Sequence, residues 1–93
     1  MPEKVRLQAI VHGRVQGVNF RYYTRLRAQE LGVTGYVRNK WGRTVEVVAE
    51  GEREAVEKLL EFIKVGPRAA LVQRVDRQWQ DPTGQFKHFE VRY

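Results

Sequence analysis

The segment Gly13-Arg14-Val15-Gln16-Gly17-Val18-Asn19-Phe20-Arg21 sets two glycines and an arginine around the point where a helix-forming run begins. Glycine takes backbone angles that other residues resist, and in such a turn successive N–H groups can converge on an anion. A helix start adds unpaired N–H groups and a partial positive charge. The combination suits phosphate. Arg21 falls in the first helical turn, where a cation opposes the helix dipole. A bound dianion reverses that penalty, and a guanidinium grips phosphate oxygens in a planar, bidentate way. The spacing matches neither the dinucleotide fingerprint nor the Walker pattern. On spacing alone, a plain glycine turn with a surface arginine accounts for the same residues. Val15 and Val18 are expected to point inward and brace the loop.

Asn39 stands where a second strand gives way to a turn. Asparagine is common there because its side chain bonds nearby backbone. The same amide can accept from and donate to one water molecule, so turn chemistry and water positioning both stand for it. His12 and His88 are two isolated histidines on expected strands, whereas metal ligands come in clusters. Surface or structural roles are expected for both, with no metal site. Trp79 reads as packing, and Tyr22 and Tyr23 as core or surface. Arg25 with Arg27, and Arg74 with Arg77, widen the positive field or form solvated faces.

These groups need a scaffold. Residues 5–11 alternate, with Val5, Leu7, Ala9 and Val11 on one face of a strand. Residues 20–31 lack breakers and are rich in helix formers, with Asn19 as the expected N-cap and Gly32 as the C-cap. Residues 33–39 and 43–50 read as strands joined by a tight hairpin. Ala55, Val56, Leu59, Leu60, Phe62 and Ile63 form one stripe of a helix over 52–64, which Gly66-Pro67 stops. A fourth strand over 71–79, a turn at Asp81-Pro82-Thr83-Gly84 and a short strand alternating Phe89, Val91 and Tyr93 complete the chain. The order predicts an α+β fold, a ferredoxin-like βαββαβ sandwich. Its sheet would be mostly antiparallel, with about five strands and two helices on one face.

The chain has 93 residues, and 1–93 read as one domain. Cysteine is absent, which excludes disulfides and a thiolate nucleophile. No stretch approaches the ~18–20 apolar residues of a membrane span, and the N-terminal run lacks the apolar core of a signal peptide. A cytoplasmic protein away from the membrane is expected. The net charge is +6, with twelve arginines to five lysines. The charge suits an anionic partner, whether nucleic acid, a membrane surface or a small phosphate compound, and a solvated basic surface accounts for it equally well.

The loop motif resembles the acylphosphatase family, whose Gly-x-Val-Gln-Gly-Val-x-Phe-Arg segment is matched from Gly13 through Arg21. Gly35-Tyr36-Val37-Arg38-Asn39 is similar to the family's second motif, which continues through Thr44-Val45 and Gly51. Gly66-Pro67 and the run from Phe86 to Tyr93 also resemble it. One position departs. The family usually carries glycine before Thr44-Val45, where this chain has Arg43, with Gly42 one place earlier, as if the glycine of the turn had shifted.

The resemblance implies a hydrolase that splits acyl phosphates into carboxylate and inorganic phosphate, with no metal and no cofactor. It implies that the backbone of Arg14, Val15, Gln16, Gly17, Val18 and Asn19, with Arg21, holds the phosphoryl group, and that Asn39 positions the attacking water. Trp41, beside Asn39, would line the acyl side or stand as an exposed loop aromatic. The expected partners are the small acyl phosphate and inorganic phosphate, with the enzyme a monomer and nucleic acid not bound. An RNA-binding sheet of the same strand order would need aromatics on its face, and the run Arg43–Glu50 offers two acids and no aromatic. An accessory phosphate-binding module, like those in hydrogenase-maturation proteins, is the other alternative, less favoured for a chain of one domain's length.

Overall fold

The computed structural model describes residues 3–93. Strand β1 (Lys4–Arg14) leads to helix α1 (Phe20–Leu31), strand β2 (Thr34–Lys40), strand β3 (Thr44–Glu52), helix α2 (Arg53–Val65), strand β4 (Leu71–Gln80) and strand β5 (Phe89–Arg92). The sheet order is β4-β1-β3-β2-β5. All neighbours are antiparallel except β2 with β5. This is the expected α+β ferredoxin-like sandwich: each helix carries the chain over an intervening strand, from β1 past β3 to β2 and from β3 past β1 to β4.

The helix-side face of the sheet holds the core. Val5, Leu7, Ala9 and Val11 of β1 lie beside Gly51, Ala49, Val47 and Val45 of β3, and all but Gly51 are buried. Val56, Leu59, Leu60 and Ile63 of α2 close over them, each contributing roughly 1.5–3 kcal/mol of burial. Gly66, left-handed at φ 75, ends α2 and donates its N–H to the Phe62 carbonyl at 2.7 Å. Gly32 ends α1 in the left-handed α region, φ 71 and ψ 22, as expected of a glycine C-cap, whereas Gly66 has ψ 179.

Three expectations give way to local physics. β1 does not stop before Gly13 but runs to Arg14, because the pairing with β4 slips between His12 and Gly13 and Gly13 takes φ 128. A side chain there would collide with the Leu71 carbonyl oxygen, so the glycine lets the strand continue through a bulge. Trp79 packs as expected, but at the edge strand β4 and not in the core; its ring lies partly open to solvent under the Arg53 guanidinium, 5.3 Å away. The last strand ends at Arg92, which leaves Tyr93 outside it and His88 just ahead of it.

The outer face of the sheet is the larger surprise. Glu46 and Glu50, on the solvent side of β3, are only 2% and 4% exposed. Glu46 accepts from Gln8 at 2.9 Å, Arg38 at 2.6 Å and Tyr36 at 3.3 Å. Glu50 accepts from Arg6 at 2.7 Å, the Thr83 hydroxyl at 2.8 Å and the backbone N–H groups of Thr83 and Gly84. The Asp81–Gly84 turn is thus pinned to the sheet, and Phe86 lies under the guanidiniums of Arg6 and Arg92 and against the Tyr36 ring.

Burial alone would raise the Glu50 carboxyl, but Arg6 and the N–H groups of Gly84 and Thr83 more than offset it and hold it below its ordinary value. The unfolded chain therefore takes up this proton first as pH falls. The stabilisation is complete above the ordinary glutamate range and is lost as pH drops through the lowered folded-state value. Glu50→Ala is expected to cost about 3 kcal/mol in urea unfolding at neutral pH, with the deficit shrinking as pH falls below 4. A deficit independent of pH would show that the ionised carboxylate is not what anchors the turn.

Candidate active site

The loop after β1 turns on two residues of positive φ, Gly17 at 74 and Asn19 at 62, with Val18 between them. Positive-φ residues on either side of one of negative φ can turn successive N–H groups to the same side of a loop. Asn19 occupies the N-cap position of α1, as expected, but its side chain makes no capping bond. Its backbone is bent the other way to shape the loop, which asparagine tolerates better than most residues. Val15 is buried and Val18 half-buried against the core, so the loop is braced from below as the sequence suggested.

Beside the loop lies a cleft of about 310 Å³, lined by Val15, Gly17, Asn19, Phe20, Arg21, Tyr22, Arg25, Asn39, Val91 and Tyr93. The structure therefore brings Arg21 and Asn39, far apart in sequence, to one cavity with the glycine loop. Arg21 donates to the Arg92 carbonyl at 3.4 Å, and its guanidinium sits 4.7 Å above the Tyr93 ring. No described carboxylate pairs with it, and the first turn of α1 carries no acid. Asn39 alternates along β2 with the buried Val37, which directs it to the helix side of the sheet, where the cleft opens.

Arg14 and Gln16 line a second groove on the other side of the loop, with His12, Gly42, Arg43, Thr44 and Gln73. The Gln16 amide reaches across to the hairpin and donates to the carbonyls of Lys40 at 3.0 Å and Thr44 at 2.8 Å. One side chain thus ties the loop to both strands that frame Asn39. Trp41 is 98% exposed at the hairpin tip. It borders a shallow groove with Gln16, Arg38, Asn39 and Lys40, so it stands as an exposed loop aromatic.

The hairpin loop is Trp41-Gly42-Arg43, closed by the Lys40–Thr44 pair. Both Gly42, φ 80, and Arg43, φ 63, are left-handed. The turn glycine has therefore not simply shifted by one place: two positions require positive φ and only one has glycine. Arg43→Gly is expected to raise stability by about 1 kcal/mol, the left-handed strain relieved less glycine's extra entropy. A matched pair of urea titrations reads this out, and destabilisation would mean that the Arg43 side chain contributes more than its backbone costs.

Sequence reasoning missed Val91 and Tyr93 as cleft residues. They reach it only because β5 adds in parallel beside β2, a pairing that no local pattern encodes. His12 is not isolated: its Nε2 lies 2.9 Å from Asp76, with Arg74 alongside. Among the described residues, no three His, Asp or Glu side chains gather as a metal site, and no helix is long and apolar enough to cross a membrane.

Fold and cleft define a ferredoxin-like α+β protein whose glycine loop, Arg21 and Asn39 line one cavity. The acylphosphatase family model matches residues 7–91. An acylphosphatase of Thermobifida fusca is 51% identical over 90 residues, 97% of this chain and 99% of its own. One from Acaryochloris marina is 48% identical over 91 residues, 98% and 97% of the two chains. The crystal structure of acylphosphatase from Bacillus subtilis superposes with a TM-score of 0.92 at 30% identity, covering 96% of this chain and 99% of that one. The chain belongs to the acylphosphatase family.

Proposed function

We propose that this protein is an acylphosphatase, a hydrolase of acid anhydrides that cleaves the carboxyl–phosphate bond with water. The observation that carries the reading is the meeting of the Gly17–Asn19 loop, the unpaired Arg21 and Asn39 in one cleft. Residues 1–93 act in this reading as one domain, a cytoplasmic monomer that takes a small acyl phosphate and releases inorganic phosphate.

Phosphoryl transfer depends on positioning and on stabilising charge spread over the phosphoryl oxygens. The loop N–H groups and Arg21 take those oxygens. Asn39 accepts from and donates to a water, holding its oxygen toward phosphorus. As the new P–O bond forms, the bond to the acyl oxygen breaks and its electron pair leaves as carboxylate. The water's protons pass to the phosphate product and to solvent. The leaving carboxylate needs no proton, because a carboxylic acid is already ionised at neutral pH. An amide that orients water therefore suffices where a poorer leaving group would need a general base.

The outer sheet face supports the same reading against nucleic acid. Its ring systems among the described residues, Tyr36 and Phe86, pack against Arg92 and each other, which leaves no free stacking platform among those residues on this face.

The test is hydrolysis of benzoyl phosphate by purified protein in excess EDTA, followed by ultraviolet absorbance. Metal-independent turnover, with competitive inhibition by inorganic phosphate, is expected. A folded but inactive protein would overturn the assignment.

A further inference from the structure

We propose that Arg25 is a second cationic contact in this cleft, taking the acyl oxygen that leaves as carboxylate while Arg21 takes the phosphoryl end. The inference rests on the reading of the cleft as an acyl phosphate site.

Arg25 follows Arg21 by one turn of α1 and lines the same cavity. Side chains four apart on a helix start about 5–6 Å from each other, a spacing suited to the phosphoryl group and the adjoining acyl oxygen of one small molecule. Among the described residues no carboxylate pairs with Arg25, whereas Arg27 on the same helix has Glu30 at 3.9 Å. The Arg25 Nε is closed off from solvent and has no hydrogen-bond partner. The Tyr22 ring lies 5.9 Å from its guanidinium. A cation held this way is costly: one nitrogen has lost water without gaining an acceptor. Arg21 precedes it by one turn on a helix whose first turn holds no acid, so a like charge opposes it. An oxyanion bonding the terminal nitrogens neutralises the like charge and supplies acceptors to the rest of the guanidinium.

In-line attack decides which oxyanion. The attacking water and the leaving oxygen must lie on opposite sides of phosphorus. Asn39, on β2, shares the sheet-side wall with Val91 and Tyr93, whereas Tyr22 and Arg25 belong to the helix-side wall. A water held by Asn39 therefore turns the acyl oxygen toward α1. There the bond to phosphorus breaks and negative charge gathers on the departing carboxylate, within reach of Arg25. Stabilisation of that growing charge acts in the transition state more than in the bound substrate.

The experiment compares wild type, Arg25→Gln, Arg25→Lys and Arg27→Gln on a series of ring-substituted benzoyl phosphates whose acyl groups carry no charge of their own. Arg25→Gln is expected to lower kcat/KM about 30-fold, the range for a lost charge-assisted hydrogen bond. The loss should grow as the leaving acid weakens, while inhibition by inorganic phosphate changes less than about twofold. Arg25→Lys should recover part of the rate, and Arg27→Gln should match wild type. Equal loss across the series, or a parallel loss of phosphate affinity, would reduce Arg25 to a general field and overturn the proposal. So would unchanged rates, or an effect confined to acyl groups bearing a second negative charge. Wild type inactive on every member of the series would reject the underlying reading and this proposal together, an outcome distinct from active wild type with a silent Arg25→Gln.

Discussion

Arg21→Ala is expected to lower kcat/KM for benzoyl phosphate by about 1,000-fold or more, roughly 4 kcal/mol of transition-state stabilisation, and to abolish inhibition by inorganic phosphate. The same variant should unfold at the same or slightly higher urea concentration than wild type. Within the protein, Arg21 makes one long hydrogen bond to the Arg92 carbonyl and rests over Tyr93 at the surface. It also stands in the first turn of a helix with no acid to balance it, where removing a cation relieves about 0.3–1 kcal/mol of dipole repulsion. Opposite signs for activity and stability mark a residue kept for its ligand. Arg21→Lys should fall between, retaining the charge without the planar fork. Full activity in Arg21→Ala, or activity lost only in step with unfolding, would remove Arg21 from the site.

Much of this arrangement was legible in the sequence because it is local. The alternation of Val5 to Val11, the stripe from Ala55 to Ile63 and the stops at Gly32 and Gly66 each encode an element over a short span, and each is found. The pairing of a glycine loop with Arg21, and the place of Asn39 at a strand end, also follow from short windows. What escaped depends on partners distant in the chain. Nothing near Glu46 or Glu50 announces burial, since their acceptors are filled from β1, β2 and the Asp81–Gly84 turn. Gln16 looks like one more loop residue until the hairpin places two carbonyls in front of it. Asn19 was read by the usual rule for helix starts, and the loop's need for left-handed backbone prevails over that rule. The cleft residues Val91 and Tyr93 could be found only once the sheet order was known.

Asn39→Ala separates positioning of water from binding of phosphate. Turnover of benzoyl phosphate should fall about 100-fold, within the range lost when one orienting group is removed, while the inhibition constant for inorganic phosphate shifts by less than about twofold. The loop N–H groups and Arg21 are untouched by the change. Asn39 is exposed, and its place in the β2–β3 ladder opposite Val45 is kept by backbone alone, so stability should move by less than about 0.5 kcal/mol. Asn39→Asp sharpens the test. A carboxylate is nearly isosteric with the amide and accepts from water as well, but it sets a negative charge beside the dianion. If Asn39 only fills space, aspartate should be tolerated. If it must face a bound phosphoryl group, aspartate should weaken phosphate and slow turnover together, a pattern that Asn39→Ala does not show. A loss of phosphate affinity in Asn39→Ala equal to its loss of turnover would make Asn39 a phosphate ligand and leave the water without a holder in this cleft.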